Sequence, residues 1–209
     1  MSKIVILDYG MGNLRSVQKA LEKYGASVVL SSHPEEIKAM AALVVPGVGS
    51  FDDCIRNLKR NNLDRTITEF ISSGRPFLGI CLGLHILFEG SEEGREKGLG
   101  IFKGKVLRFS PILKVPHMGW NSLEFTASGK KCEILKDIKD GEYFYFVHSY
   151  YVKPEDKSII ATTTDYDVEF TSSVCSKNIF ACQFHPEKSQ KAGLKLIENF
   201  VKYTQKART

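Results

Sequence analysis

The sequence predicts an α/β protein of three layers, a largely parallel central sheet with helices on both faces. Three observations point there. In the first hundred residues, short apolar runs (KIVIL, SVVL, AALVV) alternate with amphipathic stretches of helical period. That is the pattern of strand–helix–strand crossovers covering a buried sheet. After about residue 98 the chain turns to β-branched and aromatic segments separated by turns, so the second half is β-rich. Finally, 209 residues with 43% hydrophobic and 25% charged content suffice for one sizeable core, so residues 1–209 are read as a single domain.

In order, KIVIL opens the sheet and NLRSVQKALEKYG forms a helix that stops at its glycine. SVVL is a strand, PEEIKAM a short helix begun by proline, and AALVV the next strand. SFDDCIRNLKRNN and LDRTITEFISSG read as two helices. FLGI, after Arg75-Pro76, is a buried strand, and Leu82 to Glu89 carry apolar residues with helical spacing. GIFKGKVLRF, YFYFVHSYYV, SIIATTT, EFTSSVC and NIFACQF supply further strands that extend or flank the same sheet. SQKAGLKLIENFVKY closes the chain as an amphipathic helix, and no repeat or linker interrupts it.

Composition narrows the function. Five scattered cysteines, with no CxxC pair, and no secretory segment favour reduced thiols and a cytoplasmic protein. The apolar run of MSKIVILDYG is too short for a membrane span. The net charge of +5 is spread among interspersed acids, and the basic tail KYTQKART lacks interleaved aromatics, so no nucleic-acid partner is expected. His33, His85, His117 and His148 are isolated along the chain, and no metal site is expected. YGMGN is a tight strand-to-helix turn with Asn13 near the helix start; GMGNLR lacks the third glycine of a dinucleotide fingerprint.

The chemistry centres on FLGICLGLHILFE. Cys81 sits where a buried strand meets a helix, and Gly79 and Gly83 let the two cross closely. This is the nucleophile elbow G-x-S-x-G with sulfur in place of oxygen. Taken alone, the stretch is equally a buried thiol packing as a small hydrophobe. FACQFHPEKS supplies a base. His185 ends an apolar run and Glu187 follows two residues on, so both side chains project to one side of an extended chain. The carboxylate can then hold one ring nitrogen while the other faces sulfur. HPE by itself is more often a solvated turn; beside an elbow the balance reverses. AALVVPGVGSF ends a strand in a glycine-rich turn whose N–H groups, with that of Leu82, can face an oxyanion, and glycines at 47 and 49 leave the turn free to aim either way. A phosphate cradle is the competing reading, without the lysine and hydroxyl such loops carry.

Elbow, PGVG turn and HPE together resemble the class I (triad-type) glutamine amidotransferases. LDYGMGNL, LVVPGVGSF, GICLGLHILFE, PHMGWN, YFYFVHSYYV and QFHPEKSQKAGLKLIENF are similar, in order and over nearly the whole chain, to one branch of that family, the glutaminase subunits of imidazole glycerol phosphate synthase. PHMGWN is the most specific of these stretches. The resemblance implies the class I fold over residues 1–209 and hydrolysis of L-glutamine to glutamate and ammonia without a cofactor. It makes Cys81 the nucleophile, His185 the base and Glu187 its orienter, with Val48, Gly49 and Leu82 at the oxyanion hole. Gly47, Gly49, His85, His148, Ser149 and Tyr150 fall at the substrate pocket. Asn13, His117, Met118, Trp120, Asn121 and Lys188 fall at the face toward a partner. That partner is the (β/α)8-barrel cyclase subunit, which receives the ammonia to close an imidazole ring in histidine biosynthesis. One position departs from the pattern: the family usually has glutamine where this chain has His85, and imidazole cannot both donate and accept as an amide can.

Three other readings stay open at this stage. A paralogous glutaminase would serve a barrel that amidates a surface-polysaccharide sugar. A catalytically inactive, glutaminase-like subunit would only regulate, against which Cys81, His185 and Glu187 all stand intact. A cysteine peptidase is disfavoured by the partner-facing motifs.

Overall fold

The structure, a computed structural model, describes residues 3–206. Its first half runs β1 (Lys3–Leu7), α1 (Leu14–Glu22), β2 (Ser27–Ser31), α2 (Pro34–Lys38), β3 (Ala42–Gly47), α3 (Phe51–Arg60), α4 (Leu63–Ser72) and β4 (Phe77–Cys81). Then come α5 (Leu82–His85), β5 (Gly104–Arg108), β6 (His117–Ser122), β7 (Glu124–Phe125), β8 (Tyr143–His148) and β9 (Tyr150–Pro154). β10 (Ile160–Asp165), β11 (Glu169–Ser176), β12 (Ile179–Cys182) and α6 (Gln190–Lys206) complete it.

Ten strands form one sheet in the order β2-β1-β3-β4-β12-β11-β10-β7, with β9 paired to β11 and β5 to β9. The five strands from β2 to β12 run parallel. Beyond β12 the pairing is antiparallel, as hairpin-connected strands allow. Side chains alternate between two cores. Ile4, Ile6, Val44 and Ile80 pack with Val17 and Leu21 of α1 and Leu196 and Phe200 of α6. Val5, Leu7, Leu43 and Val45 face the opposite way, against Phe51 and Leu58 of α3 and Ile67 and Phe70 of α4. Burial on both faces explains why these strands read as continuous apolar runs.

Two elements differ from the sequence expectation. The helix expected from Leu82 to Glu89 ends at His85. Beyond it, the Leu87, Phe88 and Glu89 carbonyls accept from Phe102, Gly100 and Gly98, and the Glu89 N–H turns to Gly104. A tertiary strap thus replaces the bonds that would continue the helix. YFYFVHSYYV, read as one strand, is two. β8 pairs with β6 in a separate ribbon, while β9 joins the main sheet on β5 and β11. The chain changes sheets at Ser149, beside the cleft described next.

Candidate active site

Three adjacent parallel strands, β3, β4 and β12, bring the candidate chemistry together at their carboxyl ends. Register sets the placement: Gly47 lies opposite Cys81, and Ile80 opposite Cys182. Cys81 adopts φ 53° and ψ −104°, a conformation non-glycine residues avoid and which costs roughly 1–3 kcal/mol. The close crossing the elbow needs is present. A Cβ at Gly83 would strike the Val45 carbonyl oxygen, and one at Gly79 would meet the Gly83 carbonyl.

After β12 the chain carries Gln183 and Phe184 inward and then His185, whose backbone N–H donates to the Tyr145 carbonyl at 2.9 Å. The Ser189 hydroxyl donates to the His185 carbonyl at 2.6 Å and accepts the Tyr145 N–H at 2.9 Å. Held at both ends, His185 places Nδ1 2.9 Å from Glu187 Oε1, with both side chains buried. His185 Nε2 and Glu187 Oε2 are buried without a hydrogen-bond partner. Burial alone would lower the His185 pKa, but interaction with Cys81 and Glu187 overrides it and raises it to about 9. The neighbouring carboxylate and sulfur thus favour the protonated ring.

This gives a pH prediction with a definite sign. His185 keeps its proton through neutrality, so any turnover that uses it as an acid should hold there and decline as pH rises through about 9. A kcat/KM profile of the active assembly reads this limb, and undiminished turnover at pH 10 would contradict it. The same raised pKa stabilises the fold fully below the unfolded value near 6.5, and that contribution disappears by about 9.

Cys81 opens into a cleft of about 310 Å³ whose walls include Val48, Gly49, Leu82, His85, His148, Ser149 and Tyr150. All seven are pocket or oxyanion residues in the sequence reading. Gly47 stands apart from the other seven. It is buried within β3 and absent from this lining, and a Cβ there would collide with the Tyr9 hydroxyl and Leu82. Gly47 is tightly packed at the end of β3, and the turn beyond it runs through Val48 and Gly49, the latter at φ +105°.

The face assigned to a partner divides. Met118 and Trp120 are 65% and 45% exposed, and Asn13 and Lys188 are exposed. Trp120 meets the Tyr145 ring edge-on at 6.2 Å, and Lys188 Nζ stands 5.9 Å from the same ring, so three groups distant in sequence form one surface cluster. His117 is a correction, because it is buried and points inward. Its Nδ1 lies 2.9 Å from His148 Nε2, its Nε2 3.3 Å from the Asn121 amide, and its ring stacks on Tyr166. Asn121 is half-buried and also donates to the Asp165 carbonyl at 2.8 Å. His117 and His148 are therefore not isolated. The pairing of β6 with β8 sets them opposite each other. His148 Nδ1 also lies 2.8 Å from the Tyr150 carbonyl. Burial pushes the pKa of His117 down to about 4 and that of His148 well below its usual value, so both are neutral and the bonds run one way. Asn121 donates to His117, His117 to His148, and His148 to Tyr150.

Sequence reasoning missed three residues here. Glu93 lines the cleft and accepts the Phe51 N–H at 2.9 Å; burial raises its pKa, and nothing periodic marks it in SEEGREKG. Tyr145 sits under Trp120 and Lys188. Gln183 touches both Cys81 and His85, and a lone amide in the apolar run ACQF was the available signal. Among the described residues, no group of three or more His, Cys, Asp or Glu is placed to hold a metal, and no helix is long and apolar enough to cross a membrane.

Known proteins resemble the chain in sequence and in fold. The family model "Glutamine amidotransferase class-I" matches residues 5–203. A protein of Aquifex aeolicus (strain VF5), "Imidazole glycerol phosphate synthase subunit HisH", is 52% identical over 209 residues, covering 99% of this chain and 100% of its own. A protein of the same name from Syntrophotalea carbinolica is 49% identical over 205 residues, covering 94% of this chain and 98% of its own. Among solved structures, PurLQS from Thermotoga maritima superposes with a TM-score of 0.77 at 19% identity, over 97% of this chain and 99% of that one. The glutaminase domain of Trypanosoma brucei CTPS gives 0.70 at 14% identity, over 100% and 94%. At such identities the structures speak to fold alone.

Proposed function

Because the chain belongs to the class I glutamine amidotransferase family, we propose that Cys81, His185 and Glu187 hydrolyse L-glutamine for a synthase partner. The observation that carries this reading is the buried His185–Glu187 pair beside a strained cysteine at the mouth of one cleft. The Cys81 thiolate attacks the side-chain amide carbonyl, and the oxyanion is met by N–H groups of the Val48–Gly49 turn and Leu82. His185 gives its proton to the departing nitrogen, leaving a γ-glutamyl thioester and ammonia. Neutral His185 then takes a proton from water, which attacks the thioester, releases glutamate and restores the thiolate. Glu93, a carboxylate on the cleft wall, suits the α-ammonium of the substrate.

The relatives named above are subunits of imidazole glycerol phosphate synthase. Extended to this chain, the partner is the (β/α)8-barrel cyclase subunit, and the ammonia serves ring closure in histidine biosynthesis. Trp120, Lys188, Met118 and Asn13 form its docking face, and the protein works in the cytoplasm as a heterodimer. The test is steady-state glutamate release with and without that barrel and its ribonucleotide ligand. The barrel should raise the rate by orders of magnitude, since a single misdirected oxyanion donor forfeits roughly 10²–10³. Full activity in the lone chain would show that the Val48–Gly49 turn needs no partner to aim its N–H groups at the oxyanion. Stimulation only by a sugar-amidating barrel would move the partner to the paralogous system.

His85 bears on substrate affinity. His85→Gln is expected to keep the fold and leave the KM for glutamine equal or lower, because an amide can donate and accept at once. A rise in KM would show that imidazole suits this pocket better than the amide does.

A further inference from the structure

Gln183 is fully buried between β12 and His185, and the hydrolysis described above makes no use of its side chain. It spans two groups of the cleft. Its Nε2 donates to Cys81 Sγ at 3.6 Å, and its Oε1 lies 2.7 Å from His85 Nε2. Chemistry sets the direction of the second bond. A carbonyl oxygen only accepts, so His85 Nε2 carries the proton and donates. His85 is neutral, its pKa brought down to about 4 by burial, so Nδ1 is bare and only this tautomer satisfies Oε1. With Oε1 claimed by His85, the amide is held with its NH₂ group toward sulfur.

We propose that Gln183 is a second catalytic group at the nucleophile, donating an N–H to the Cys81 thiolate, and that His85 is a positioning residue acting through Gln183. The inference rests on Cys81 being the nucleophile. The sulfur then has a neutral donor from Gln183 within hydrogen-bond reach, while His185 Nε2 is buried and still unpartnered. The neutral donor is bound to the fold on its far side, so it remains in place when His185 gives its proton to the leaving group. The bond also accounts for a polar side chain within an otherwise apolar run, wholly out of solvent yet with donor and acceptor both engaged.

The experiment uses the full chain without glutamine. Iodoacetamide alkylation of Cys81 is followed by peptide mass spectrometry from pH 5 to 9.5, with thermal melts of each variant as a check on folding. Gln183→Leu removes the donor and should move the alkylation midpoint up by about one pH unit, a tenfold slower reaction below it. Gln183→Glu places a carboxylate against the sulfur and should move it further. His85→Phe frees the amide to turn and should shift the midpoint in the same direction by less. In the partner-activated assembly, Gln183→Leu should lower kcat with KM for glutamine little changed. A purely packing role would lower melting temperatures and leave the midpoint where it was. An unmoved midpoint in Gln183→Leu and Gln183→Glu overturns the inference while leaving the nucleophile standing. Should Gln183→Leu not fold, an unmoved midpoint in His85→Phe and Gln183→Glu does the same. If the unaltered chain alkylates at Cys132 or Cys175 in preference to Cys81, the nucleophile reading itself falls, and this inference with it.

Discussion

Cys81→Ala will abolish glutamine hydrolysis, by roughly 10⁴-fold or more, the scale expected when a covalent nucleophile is removed. In the same complex, turnover with added ammonium should persist, because the sulfur serves only to release nitrogen. The fold should survive, since alanine fits the volume and inherits the strain at φ 53°. That strain makes a second comparison informative. Cys81→Gly is equally inactive but should melt above Cys81→Ala, glycine adopting positive φ without the penalty of roughly 1–3 kcal/mol. Thioester trapping and calorimetry on the two variants check both halves. Glutamine turnover surviving in Cys81→Ala would remove the nucleophile assignment outright.

Gly83→Ala should be among the most damaging of the conservative substitutions in stability. In an ordinary helix the exchange is favourable by roughly 0.5–1 kcal/mol. Here the added methyl meets the Val45 carbonyl oxygen of the neighbouring strand, an atom held by the sheet and unable to swing aside. Overpacking against fixed backbone costs about 3 kcal/mol, and for a chain of this length that lowers Tm by roughly 6–12 °C. The sign is therefore the reverse of helix propensity. An alanine variant as stable as its parent would show that α5 can lift from β3, and with it that the elbow is loose.

The strand–helix alternation, the elbow and the HPE turn were legible because each rests on local rules: apolar period, glycine spacing, and the side-sharing of residues two apart. What escaped depended on partners far along the chain. The helix after Cys81 stops at His85 because the segment around Gly98–Gly104 claims the next backbone groups, and no window over Leu82–Glu89 contains that segment. YFYFVHSYYV has strand chemistry throughout, yet its halves pair with different neighbours, and pairing is a tertiary choice. His117 and His148 looked solitary because only the β6–β8 register makes them adjacent. PHMGWN alternates as a strand should, which sends Met118 and Trp120 outward and His117 inward, so the motif as a whole is not surface. The amide of Gln183 is visible in the sequence, but only as one polar residue in a strand; its place beside the sulfur comes from the β4–β12 pairing.

The strand order carries a temporal consequence. β12 comes last of the strands among the described residues, yet it inserts between β4 and β11 near the middle of the sheet, and it leads directly into His185. A growing chain that has completed the elbow therefore has its thiol but neither the centre of its sheet nor the imidazole that would activate it. Under the proposed mechanism, Cys81 has its base only when β12 is in place. One strand thus both fills the gap between β4 and β11 and carries the chain on to His185.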